Sequence, residues 1–105
     1  MNANQPISEQ YRIIAKKWVD ADSAANLLEE TKSAFLAKMM ASLGDMPVSK
    51  AEMQVKASDE WSDYIGKMVR AREQAALLKA QMTYIQMKFQ EWQSSTATRR
   101  AEMRL

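Results

Sequence analysis

Residues 61 to 92 read WSDYIGKMVRAREQAALLKAQMTYIQMKFQEW. Within them Trp61, Tyr64, Met68, Ala71, Ala75, Leu78, Met82, Ile85, Phe89 and Trp92 step by three and four without a miss, the period that lays one apolar seam of a helix against another helix. A second stripe upstream keeps the same spacing: Tyr11, Ile14, Trp18, Ala21, Ala25 and Leu28, then Phe35 and Met39 beyond a polar break at Lys32. Stripes of nearly equal length predict an all-α chain whose two arms, each near ~50 Å at ~1.5 Å per residue, pair as a long antiparallel hairpin.

Boundaries follow from backbone chemistry. Pro6, Ile7, Ser8 and Glu9 suit a helix entry, since proline is tolerated in a first turn and an acid there meets the helix dipole. The first helix is expected over about 7–43. Gly44 stands where a left-handed C-cap is wanted, and Pro47 cannot continue a helix. The turn and a short helix occupy 44–57, with Ser49-Lys50-Ala51-Glu52 matching a capping box ahead of a helix at about 50–56. Ser58, Asp59 and Glu60 form a second entry signal, so the long second helix is drawn over about 58–92, with an unbroken helix from Ser49 as the alternative. Residues 93–105 follow as a basic extension without a counterpart on the first arm. The whole chain, 1–105, is expected to be one helical domain.

Composition narrows the chemistry. Gly and Pro number two each, and the chain has neither Cys nor His. That removes disulfides, thiolate nucleophiles, imidazole bases and the common zinc sites together. No cofactor or metal is expected, and no catalytic residue. The paired acids Glu29-Glu30, Asp20 with Asp22, and Asp59-Glu60 read as solvated surface, because adjacent helical residues diverge by about 100°. Phosphate-binding glycine loops and nucleophile elbows are missing from the sequence. Met1 to Gln5 is polar and uncharged, so no secretory signal is expected, and no apolar run approaches the ~20 residues of a membrane span. A cytoplasmic protein without a membrane partner follows.

Apolar residues off the seam suggest a further surface. Leu27, Leu36, Met40 and Leu43 on the first arm, with Ile65, Val69, Leu77 and Met87 on the second, would stay wet in a two-helix monomer. A homo-oligomeric helical bundle, a dimer above all, would cover them. Nine methionines suit either an adaptable binding surface or an ordinary bundle core. Gly66 in a helix interior points to the close approach of another helix, or to a kink.

Charge is unevenly distributed. Residues 1–60 carry seven Lys/Arg against nine Asp/Glu, net −2, and residues 61–105 carry eight against four, net +4. Attraction between antiparallel arms accounts for this, as does a basic face for nucleic acid or an acidic partner. Aromatics among the second-arm cations could stack on single-stranded nucleic acid, yet Trp61, Tyr64, Phe89 and Trp92 fall on the seam, which leaves only Tyr84 free. Arg99, Arg100 and Arg104, with Lys88, are the candidate residues for binding a partner or nucleic acid. Arginine grips phosphate or carboxylate with two bonds, while cations near a helix C-terminus also simply oppose its dipole.

The segment from Trp61 to Leu105, above all Glu91-Trp92-Gln93-Ser94-Ser95 and Ala97-Thr98-Arg99-Arg100-Ala101-Glu102-Met103, resembles small uncharacterised helical proteins of tailed bacteriophages and prophages. Trp18 to Asp22 and Leu27 to Ser33 are similar too. Genes for such proteins often lie near recombination or replication genes, so the resemblance implies a non-catalytic accessory role in the infected cell's cytoplasm. It carries over no site residue. The function expected is an oligomerising helical protein that binds a bacterial-host protein of the DNA-processing or host-defence machinery. Direct nucleic-acid binding through the basic end is the alternative, and a virion structural or assembly part is a further one.

Overall fold

The computed structural model describes residues 4–104. Met1 to Ala3, most of the polar stretch read as lacking a secretory signal, and Leu105, the last residue of the basic extension, lie outside the described residues. The order is α1 (Ile7–Ser42), α2 (Val48–Lys56) and α3 (Asp59–Met103), with no strand among the described residues. Along α1, partners on α3 run backwards: Tyr11 bonds to Gln86, Asp22 to Arg72 and Leu28 to Tyr64. The chain is a helical hairpin with a short helix at its turn.

Residues up to Val19 and from Ala76 form one compact unit, and Asp20–Ala75 form the other. In the first, Ile14, Leu78 and Ile85 are buried between the two arms, together with the amide of Gln10, whose Nε2 donates to the Gln5 carbonyl at 2.8 Å. In the second, Ala25, Ala51, Val55, Trp61 and Ala75 form the core. Val55, at 2% exposure, is the most enclosed large side chain, so α2 is a true core element of that unit.

Two local devices bound the turn. Gly44 adopts φ +83° and its N–H donates to the Ala41 carbonyl at 3.3 Å, closing α1 as the sequence predicts. Ser58 caps α3: its Oγ accepts from the Trp61 N–H at 3.2 Å. The helix is therefore broken between Lys56 and Asp59.

The capping box at Ser49 does not form. Pro47 is the N-cap of α2, with φ −55° and ψ 139° and no side-chain bond, and its carbonyl accepts from the Ala51 N–H at 3.0 Å. Proline's fixed φ and free carbonyl start the helix early, which places Ser49 inside it. At the other end, α3 runs to Met103, well past Trp92. The apolar pattern stops at Trp92, but the following Gln, Ala, Arg and Glu residues sustain a helix and no Gly or Pro interrupts it. Gly66 also differs from expectation. The three atoms nearest to a Cβ there all belong to Arg70 of its own helix, with Nη1 at 3.0 Å, so its closest neighbour is not a second helix.

Candidate functional site

In the turn unit one arginine organises the surface of α1. Asp22, Asn26 and Glu29 are spaced four and three residues apart and share a face. Arg72 on α3 meets all three: Nε and Nη2 each reach a Glu29 carboxylate oxygen at 2.9 Å, Nη1 reaches Asp22 at 2.7 Å, and Nη2 reaches the Asn26 carbonyl oxygen at 2.7 Å. Its forked grip holds the Glu29 carboxyl below its ordinary value and raises Arg72's own. Asp22 and Glu29, read from sequence as solvated acids, are thus cross-helix partners.

Beside this clamp lies an aromatic stack. The Phe35 ring faces Tyr64 at 4.4 Å between centroids, and Trp61 lies 6.2 Å from Phe35. Tyr64 donates its hydroxyl proton to the Leu28 carbonyl at 2.6 Å, with the Thr31 hydroxyl 2.7 Å away. Lys32, the polar break in the stripe, places its ammonium 5.9 Å from the Trp61 ring. A cation over an aromatic face thus takes the position where the stripe lacks an apolar residue.

The other unit is more open. Tyr11, Trp18 and Met82 are half-buried there; in the turn unit so are Leu28, Phe35, Met39, Tyr64 and Met68. Burial of the α3 seam stops at Ile85. Phe89 and Trp92, placed by spacing on the seam, are 41% and 57% exposed and stack on one another at 6.0 Å. The reason is length: α1 begins at Ile7, so among the described residues only its first turn flanks α3 here, and Phe89 and Trp92 are only partly covered. Ile7 and Tyr11 meet Ile85, Phe89 and Trp92 around a shallow apolar groove, across which Gln86 Nε2 donates to the Tyr11 hydroxyl at 3.2 Å.

Past the groove, Arg99, Arg100 and Arg104 are exposed. Among the described residues none of them makes an ion pair. Lys88, half-buried, instead lies 5.7 Å from the ring of Tyr84. Of the residues expected at an oligomer interface, Leu27, Leu43, Val69, Leu77 and Met87 are exposed, while Leu36, Met40 and Ile65 are half-buried in the turn unit. Leu77, Ala80, Tyr84 and Met87 fall at steps of three, four and three, which puts them on the side of α3 turned away from its seam.

The two units differ in charge. Residues 4–19 and 76–104 carry eight Lys/Arg and three Asp/Glu, net +5; residues 20–75 carry seven and ten, net −3. Sequence halves blur this contrast because the hairpin returns α3 to α1's basic beginning. No family model, curated protein or solved structure matches this chain. Among the described residues no helix is long and apolar enough to cross a membrane.

Proposed function

We propose that this chain is a non-catalytic helical accessory protein that self-associates and binds a partner protein of DNA-processing or host-defence machinery. The observation that carries self-association is the outer stripe of α3, where Leu77, Tyr84 and Met87 are 62%, 62% and 54% exposed at heptad spacing. Such a stripe on a helix already packed along its other side is the surface a second helical pair covers. The absence of Cys and His supports action by occlusion or scaffolding. The resemblance to phage and prophage accessory proteins supports the class of partner.

Sedimentation at micromolar concentration tests this. The wild-type chain is expected to be a dimer, and a Leu77→Glu, Met87→Glu double variant a helical monomer, since both positions are exposed. A monomeric wild type overturns the reading.

A second reading, direct binding of nucleic acid, is favoured by the division of charge. A unit with net +5, three of whose arginines make no ion pair among the described residues, attracts phosphate regardless of sequence.

A further inference from the structure

The seam of α3 does not end where α1 does. Continuing its steps of three and four past Ile85 gives Phe89, Trp92, Thr96, Arg99 and Met103, one stripe on one side of a helix unbroken to Met103. Along the uncovered part the chemistry changes from aliphatic to aromatic and then to cationic. Phe89 and Trp92 present a stacked pair of exposed rings. Arg99 follows two turns later on the same side, about 10.5 Å further along the axis, and Arg100 flanks it. Neither guanidinium is engaged by a described carboxylate.

Each half of this arrangement is a poor match for the other occupants. A membrane-seeking or core-seeking stripe would continue with aliphatic residues where the arginines stand. A second copy laid parallel on the stripe would bring Arg99 against Arg99. An anionic chain with flat, stackable groups satisfies both halves, with rings receiving bases and arginines receiving the phosphates that follow. A duplex does not, because its bases are already stacked and only its backbone is accessible to such a surface. The groove beside Tyr11 adds apolar surface next to the ring pair.

We propose that the uncovered seam face of α3, Phe89 and Trp92 with Arg99 and Arg100, is a binding platform for single-stranded nucleic acid. The proposal rests on the second reading above and deepens it by naming the form of nucleic acid and the residues that select it. It lies about a quarter-turn of α3 from Leu77 and Tyr84, and Met87 and Arg99 border one shallow concavity, so the two faces are neighbours on the helix.

The test is fluorescence anisotropy of a labelled oligo(dT) of ~15 nucleotides and of a duplex of equal length, titrated with the full chain across a salt series. Oligo(dT) is expected to bind more tightly than duplex. Trp92→Ala should weaken oligo(dT) binding ~5- to ~100-fold while leaving the salt slope unchanged, because stacking does not displace counterions. Arg99→Ala with Arg100→Ala should reduce the magnitude of the slope by ~1.4, at ~0.7 for each phosphate contact on a single strand. All these side chains are exposed, and unchanged circular dichroism checks the fold of each variant. No binding of either probe at low salt overturns both this proposal and the second reading. Duplex bound as tightly as oligo(dT), with Trp92→Ala neutral, overturns the platform alone and leaves the second reading standing. Poly-glutamate competing as effectively as oligo(dT) marks a general anion surface and overturns the platform too.

Discussion

The nearest atoms to an alanine side chain at position 66 would be the guanidinium end of Arg70, one turn along the same helix, with Nη1 at 3.0 Å. A flexible tip gives way by a few tenths of an ångström at little cost. Gly66→Ala should therefore stabilise the chain by ~0.5–1 kcal/mol, the helix-interior difference between the two residues. Gly44 is the reverse case. A Cβ there would touch nothing within 4 Å, but φ is +83°, where L side chains are strained. Gly44→Ala should cost about 1–2 kcal/mol through backbone conformation alone. Thermal melts followed by circular dichroism check the pair: Tm should rise for the first variant and fall for the second, and a fall for Gly66→Ala would mean that something else packs against α3 there.

Among the elements, α3 depends for its start on one hydroxyl. The Ser58 Oγ accepts the Trp61 N–H at 3.2 Å, and Trp61 belongs to the aromatic stack with Phe35 and Tyr64. Ser58→Ala should cost about 1 kcal/mol and Ser58→Asp should recover part of it, read as the midpoint of urea unfolding, since a carboxylate keeps the acceptor for Trp61 but loses the hydroxyl's bond to the Val55 carbonyl. Equal loss in both variants would show that the cap is not what Ser58 supplies. This cap and the Gly44 stop were legible in the sequence because each is a local backbone event with its own residue signature. The start of α2 was not, because a capping-box pattern at Ser49 competed with Pro47, whose conformation takes precedence. The end of α3 was hidden for a different reason: apolar spacing reports where a helix is covered, and helix-forming residues without a seam carry it further. The same gap concealed the exposure of Phe89 and Trp92, which depends on where the opposite helix begins. Arg72 was missed as well, since finding its partners requires the register between two helices. Asp22, Asn26 and Glu29 at helical spacing were the available hint.

For the molecule as a whole, charge couples folding to acidity. Glu29 is held below its ordinary value of 4.5 chiefly by its hydrogen bonds to Arg72. The unfolded chain consequently binds more protons in the window below 4.5. The stabilisation is complete above that value and is lost as pH falls through the lowered folded one. Glu9, held low by Arg12 in the same manner, adds a parallel contribution. Tm measured from ~pH 6 to ~pH 3 should decline for the wild-type chain and decline less for Glu29→Gln, with Glu9 accounting for part of the remaining slope. Identical declines would show that the Arg72 clamp does not act on Glu29 in solution.

Trp61 and Trp92 differ in more than their roles. The first is 9% exposed among rings and beneath a lysine in the turn unit; the second is 57% exposed at the open groove of the other. Indole emission shifts to the red as water reaches the ring, so these two of the chain's three tryptophans, the third being half-buried Trp18, are optical reporters at distinct colours. In a Trp18→Phe background the blue component follows the integrity of the turn, and the red component senses whatever settles on the open end.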